Sequence, residues 1–285
     1  MSNLLLCCDL DRTVLPNGNA NESPGVRDLF THVIKQSGLT LAYVSGRDIH
    51  LLQQAIEDYH IPLPDFAIGD VGTTLYQITD GNWQAQTDWA EHIGQDWQQQ
   101  HASALQQYLT DLPILRLQEP EKQNIHKLSY YVDLDIPEQF ITSEIRQRLE
   151  ANKIKANIIY SIDEIAETGL VDILPQCASK YHAIEFLVER LEMSKDDTVF
   201  AGDSGNDLPV LISDIPAVLV NNALTSIKNT ARRLADAQGL AQQLYLARGG
   251  FYGLNGNYTA GVLEGLLHFH PELRNLISGY LKPSQ

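Results

Sequence analysis

Residues 4–13 read LLLCCDLDRT: an unbroken apolar run, then two aspartates, Asp9 and Asp11, with one residue between them. An amphipathic strand would alternate, so a continuous short run of this kind is read as a strand buried on both faces. Burying both faces demands helices above and below. The run therefore selects a parallel, helix-covered sheet. Its end is a second constraint. Like charges side by side are unfavourable unless something positive stands there. The chain has to bring a cation to the tip of this strand.

The same signature recurs along the chain. Strands are expected at 4–9, 40–44, 66–69, 198–202 and 217–220, with amphipathic helical stretches at 24–37, 48–59, 179–192 and 223–236. That alternation predicts an α/β fold with a doubly wound parallel-sheet core. The middle reads differently. A long Gln-rich helix is expected over 88–109, carrying Trp89 and Trp97. Strands follow near 113–118 and 125–134, then a helix over 137–152 that opens at Pro137, then strands near 154–160 and 170–174. Strand and helix mixed in this way suggest an open α+β layer with one wet face. The expected organisation is a discontinuous core, 1–78 and 173–285, with an inserted α+β cap over 79–172.

A chain of 285 residues can bury a core of that size. Its 36 acidic residues against 20 basic ones give a net charge of −16. That argues against nucleic acid as the main partner, since phosphate backbones need basic stripes. A small phosphorylated substrate needs only a local basic pocket. Cys7, Cys8 and Cys177 have neither metal-ligand spacing nor the makings of a disulfide framework, which points to a reducing compartment. The N-terminal apolar run is too short for a signal peptide or a membrane span. A cytoplasmic protein with no membrane partner is expected.

Open parallel sheets bind ligands beyond the carboxyl ends of their strands. Four such places carry chemistry here. Asp9, Asp11 and Thr13 follow the first strand; Ser45, Gly46 and Arg47 follow the second. Ser179 and Lys180 open a helix, and Asp203 to Asp207 follow the strand TVFAG. Asp9, Asp203 and Asp207 suit Mg2+, a hard cation that prefers oxygen, and this is the positive charge the first strand calls for. One carboxylate can attack phosphorus and form an aspartyl-phosphate. The aspartate two residues on lies on the same side, where it can protonate a leaving alcohol and then activate water. Ser45, amides near Gly46 and the Lys180 ammonium would hold the phosphoryl oxygens.

Bland readings compete with each of these. A lone Asp-x-Asp pair is common in surface turns, and Ser45 and Asn206 also suit helix caps. Arg47 suits a surface ion pair. Lys180 is harder to dismiss, because a helix dipole disfavours a cation in the first turn. In the middle region Lys127 and Ser129 share a strand face, with Tyr130 on the other. Lys127 is the candidate for a sugar hydroxyl. Trp89 and Trp97 read as helix core, His268 and His270 as a solvated face, and Cys8 as a small core residue facing away from Asp9.

DLDRT, VSGR, Ser179-Lys180 and GDSGND at 202–207 resemble, in order, the four motifs of the haloacid-dehalogenase-like phosphatases, and the likeness covers the whole chain. The insert resembles the α+β cap of the Cof-type branch. DVGTTLY at 70–76, HKLSYYVD at 126–133, VDILP at 171–175 and AGVLEGLLHF at 260–269 are similar to stretches of sucrose-phosphate phosphatases. The resemblance implies Asp9 as nucleophile and Asp11 as general acid and base. It implies Mg2+ on Asp9, the Asp11 carbonyl and Asp203, with Asp207 orienting the metal shell. It puts Thr13, Gly46, Arg47, Lys127 and Asn206 on the substrate side. Arg12 departs from the pattern, which commonly has a small or amide residue there. The expected function is a Mg2+-dependent phosphomonoesterase acting on a small sugar phosphate, with sucrose 6-phosphate foremost. Three alternatives stay open: a related glycosyl-phosphate phosphatase (for example for mannosyl-3-phosphoglycerate), a phosphomutase, and a silent sugar- or partner-binding module. A sugar-phosphate synthase as partner is also left open.

Overall fold

The computed structural model describes residues 4–163 and 166–280. The first half of the core alternates β1 (Leu5–Cys8), α1 (Val26–Ser37), β2 (Thr40–Val44), α2 (Ile49–Tyr59) and β3 (Phe66–Gly69), then adds β4 (Thr74–Thr79) and β5 (Asn82–Ala85). The middle holds α3 (Thr87–Gly94), α4 (Ala102–Leu105), β6 (Arg116–Leu117), β7 (Leu128–Val132), α5 (Glu138–Ala151), β8 (Ala156–Asp163) and β9 (Thr168–Pro175). The chain then returns through α6 (Lys180–Arg190), β10 (Thr198–Gly202), α7 (Leu208–Leu211), β11 (Ala217–Leu219), α8 (Thr225–Gln238), β12 (Leu244–Leu246), α9 (Thr259–Phe269) and α10 (Arg274–Tyr280).

The large sheet has eight strands in the order β12-β11-β10-β1-β2-β3-β4-β5. Pairing is parallel from β12 to β3 and antiparallel from β3 to β5. The strand read from LLLCC sits at the middle of this sheet. Its side chains alternate between two cores. Leu6 and Cys8 pack with apolar residues of α1, α2 and α9, while Leu5 and Cys7 pack with those of α6 and α7. Both faces are covered, as the unbroken apolar run requires. Each fully buried leucine here is worth about 2 kcal/mol of transfer free energy.

Several elements differ from expectation. The β4–β5 hairpin was not anticipated, although its turn is written in the sequence. Asp80 and Gly81 both have positive φ, 50° and 80°, the conformation that two-residue hairpins favour. The long helix expected over 88–109 does not form as one piece. Gln98 and Gln99 are left-handed, at φ 53° and 60°, and the chain breaks into α3 and the short α4. The two tryptophans explain this. Trp89 is buried in the core layer under α6, where its Nε1 donates to the Gly72 carbonyl at 3.0 Å. Trp97 is buried in the separate core of the insert. One straight helix could not serve both.

The insert is a four-stranded antiparallel sheet, β6-β7-β9-β8. Helix α5 covers one face through Ile141, Ile145 and Leu149, joined by Trp97, Leu105 and Leu109. The β4–β5 hairpin belongs to the large sheet as far as Ala85, and β9 belongs to the small one as far as Pro175.

Candidate active site

Parallel register brings the working ends of three strands level. Cys8 stands opposite both Ala201 of β10 and Tyr43 of β2. One step further on, the Asp9 amide donates to the Ala201 carbonyl at 2.8 Å and the Ser45 amide to that of Ile68 at 2.8 Å. Asp9, Ser45 and Asp203 thus leave the sheet along one edge. Helix α6 starts beside them, capped by Ser179, whose side chain accepts from the His182 amide. The approach is close. Gly72 is left-handed (φ 102°), and a Cβ there would lie 2.5 Å from the Ser179 carbonyl carbon. A Cβ on Gly202 would lie 2.7 Å from the Asp207 carboxylate. Both positions need glycine to let the elements meet.

At the centre stands Lys180. Its Nζ donates to Asp9 Oδ1 and to Asp207 Oδ1, each at 2.7 Å, and all three side chains are buried. Asp207 Oδ2 accepts from the amides of Asp203 and Ser204, at 3.1 and 3.0 Å, and from Ser204 Oγ at 3.1 Å. Both its oxygens are in use. Asp203 is different: its Oδ1 is buried without a partner among the described residues, and its Oδ2 meets Arg12 Nε at 3.2 Å. Asp9 Oδ2 accepts from Thr13 Oγ1 at 3.3 Å. Asp9, Asp203 and Asp207 each offer an oxygen within 4.8 Å of the others. A cluster of hard oxygens with one orphaned carboxylate atom fits a hard divalent cation. Asp9 and Asp203 would hold such a cation, and Asp207, with both oxygens bonded, braces them.

Asp11 faces the same cleft, gripped by a bidentate pair: Arg47 Nε donates to Oδ2 at 2.8 Å and Nη2 to Oδ1 at 2.6 Å. Asn17 Nδ2 adds a third bond to Oδ1 at 2.6 Å. Ser45 is buried and accepts from the Arg47 amide at 3.2 Å. With Gly46, Asn206 and Leu51 these groups line a cleft of about 270 Å³ whose walls all come from the core.

The charge states follow. Burial pushes the Asp9 carboxyl up to about 7, with Lys180 pulling the other way and Asp207 and Asp203 adding to the rise. Asp203 rises to about 6, again through burial, with Arg12 opposing. Burial also works against the Lys180 ammonium, yet Asp9 and Asp207 overcome it and hold Lys180 charged well above the ordinary lysine range. Asp11 goes down despite its burial, because Arg47 and Asn17 stabilise the carboxylate.

The residues of the four motifs come together as one cluster, and Lys127 does not join the cleft wall. It lies just before β7, with its Nζ 3.8 Å from Asp70 Oδ1 and both side chains largely buried. Ser129 turns to Asp172 and Tyr130 into the cap core. Two neighbours, Asp70 and Asn17, went unread in the sequence, and Arg12 was read without its partner. Asp70 follows the apolar strand FAIG as Asp9 follows LLLCC, so the same strand-end rule would have found it. Its amide donates to the Arg47 carbonyl at 2.9 Å. Asn17 lies in the polar turn PNGN after the first motif. Arg12 showed only as a departure, with no partner named.

A parallel sheet that brings Asp9, Asp11, Ser45 and Asp203 to one cleft, with Lys180 and Asp207 buried behind them and an inserted α+β layer beside it, defines a haloacid-dehalogenase-like phosphatase. A family model described as sucrose-6F-phosphate phosphohydrolase matches residues 2–270, and the chain belongs to that family. It is 54% identical to a Nitrosococcus oceani protein named only as a HAD-like hydrolase, over 95% of this chain and 73% of that one. It is 28% identical to the mannosylfructose-phosphate phosphatase of Agrobacterium fabrum, over 93% of this chain and 96% of that one. Among solved structures it is similar to the Synechocystis sucrose-phosphatase in complex with sucrose and phosphate. The TM-score is 0.70 at 25% identity, over 95% of this chain and 99% of that one. The chain spans about half the length of the plant sucrose-phosphatases it matches. No described helix is long and apolar enough to cross a membrane.

Proposed function

We propose that the protein hydrolyses a phosphorylated disaccharide, sucrose 6-phosphate foremost, to the free sugar and inorganic phosphate, with a divalent cation and through an aspartyl-phosphate on Asp9. The observation that carries this is the Lys180 bridge between two buried carboxylates, with Asp11 facing the same cleft two residues after Asp9.

Asp9 supplies the nucleophilic oxygen. Its attack on phosphorus forms the Asp9–phosphorus bond as the bond to the sugar oxygen breaks. Asp11, protonated for this step, gives its proton to the departing sugar oxygen. The Arg47 grip favours the Asp11 carboxylate, so Arg47 has to release it before it can act as an acid. The released guanidinium lines the cleft with Ser45 and Gly46, where it suits phosphoryl oxygens. In the second half Asp11 takes a proton from water, whose oxygen attacks phosphorus and frees Asp9. Lys180 holds Asp9 in place through its bond to Oδ1 and favours the carboxylate form before the attack. Mg2+, held by Asp9, Asp203 and the Asp11 carbonyl, would supply the charge that neutralises the phosphoryl group.

The sugar assignment rests on the family and on the Synechocystis relative. The Agrobacterium relative favours a second reading, a phosphorylated mannose–fructose disaccharide. The intact carboxylates argue against a silent binding module. A phosphomutase would return the phosphoryl group to sugar instead of to water. We place the enzyme in the cytoplasm, in keeping with the buried thiols Cys7 and Cys8. A sugar-phosphate synthase is the class of enzyme whose product it would consume. The test is phosphate release from a panel of sugar phosphates, with Mg2+ and with EDTA. Preference for sucrose 6-phosphate and loss in EDTA are expected. Equal rates on glucose 6-phosphate would remove the disaccharide assignment, and full activity in EDTA the cation.

A further inference from the structure

Arg12 is placed by its backbone. It sits in the left-handed region at φ 60°, where a non-glycine residue is strained. Two side chains hold it there. Its amide donates to Asn17 Oδ1 at 2.8 Å, and its carbonyl accepts from Asn222 Nδ2 at 2.6 Å. The result directs the guanidinium at Asp203: Nε to Oδ2 is 3.2 Å, from a half-exposed arginine to a nearly buried carboxylate.

The surrounding charges give this pair its meaning. Four carboxylates, Asp9, Asp11, Asp203 and Asp207, face three cations. Lys180 is committed to Asp9 and Asp207, and Arg47 to Asp11. Arg12 is the cation that pairs with Asp203, and Asp203 is also the carboxylate with an oxygen left over. A divalent cation bound there would draw on the same carboxylate as the guanidinium. They repel each other across it.

We propose that Arg12 is a built-in counter-ion of Asp203 that competes with the divalent cation and sets how tightly this enzyme holds its metal. The inference rests on the cation reading above and goes beyond it. Without metal, Arg12 neutralises a carboxylate that would otherwise be buried and unpaired. With metal, the half-exposed guanidinium gives way toward solvent or toward the substrate cleft it also lines. A neutral residue at this position removes the competitor, giving tighter metal and a weaker metal-free site.

The experiment is calorimetric titration of Mg2+ into the full, EDTA-dialysed protein. It compares wild type with Arg12→Asn, Arg12→Gln and Arg12→Lys. Asparagine tolerates positive φ, so Arg12→Asn changes the charge with least backbone cost, and Arg12→Gln stands in if it folds poorly. The neutral variants are expected to bind Mg2+ about tenfold tighter, and Arg12→Lys, which keeps the charge, to stay near wild type. In EDTA the neutral variants should melt below wild type, and the gap should close in excess Mg2+. Folded neutral variants with an unchanged or weaker Mg2+ affinity overturn the proposal. Failure of all four proteins to bind Mg2+, with phosphatase activity persisting in EDTA, overturns the cation reading and the competition with it.

Discussion

Asp9 and Lys180 form a buried pair whose two members fail differently when replaced. Asp9→Asn keeps the shape and leaves Lys180 bonded to Asp207, so the fold should survive. Turnover should fall by roughly three orders of magnitude or more, because an amide cannot form the covalent intermediate. Near-wild-type phosphate release from the purified variant would take the nucleophile's role away from Asp9. Lys180→Ala is the opposite case. It strands Asp207, whose side chain is fully buried, and Asp9 beside it. Stranding buried charge costs about 3–5 kcal/mol, which urea denaturation would register as a lower midpoint. At this scale the sequence was highly legible in residue types and poorly legible in pairings. Asp9, Ser45, Lys180 and Asp203 could be found because strand ends and a helix start announce them. The Arg47–Asp11 clamp and the Arg12–Asp203 pair depend on loop conformations, including one positive φ, that no spacing rule reports.

Elements followed the pattern where one core decides their fate and departed from it where two cores compete. The five parallel strands that were expected lie within a residue or two of their places, because apolar runs buried on both faces leave little choice, while the edge strand β12, three half-buried residues long, was not expected. The stretch after Thr87 must satisfy the core through Trp89 and the cap through Trp97, and its local helical pattern lost to that demand. His126 belongs to this junction, with its ring edge-on to Trp97 at 5.9 Å between centroids. Burial lowers it from the usual 6.5 to about 4, with His101 adding to the effect. Above pH 6.5 the imidazole is neutral whether the chain is folded or not. Below that the unfolded chain takes up a proton that the folded one refuses until about pH 4. The depressed group thus removes stability as pH falls through this window. Urea midpoints at about pH 7 and about pH 4.5 should differ by less in His126→Asn than in wild type. An unchanged difference would show that His126 is not the group responsible.

For the molecule as a whole, the question is how a cleft walled by the core alone could tell one sugar phosphate from another. On the proposed reading the core groups address the phosphoryl end, and discrimination falls to the cap. Contacts between cap and rim include Asn124 Nδ2, which donates to Thr73 Oγ1 at 2.9 Å, and Lys127, which pairs with Asp70 at 3.8 Å. The second pair is too long for a hydrogen bond and leaves the ammonium's donors free to exchange toward a hydroxyl. A disaccharide offers many hydroxyls, each needing a partner once desolvated. Closing the cap over it would complete the site and expel water. Lys127→Ala is therefore expected to lower kcat/KM for sucrose 6-phosphate by about tenfold or more, roughly 1.4 kcal/mol of transition-state binding. Hydrolysis of p-nitrophenyl phosphate, which carries no sugar, should change little. Asp70→Asn supplies the control, since it breaks the same rim contact without removing the ammonium. If both variants lose activity equally on both substrates, Lys127 is a latch between cap and core. A loss confined to Lys127→Ala and to the sugar substrate makes it the sugar's partner. No loss on either substrate would remove Lys127 from recognition altogether.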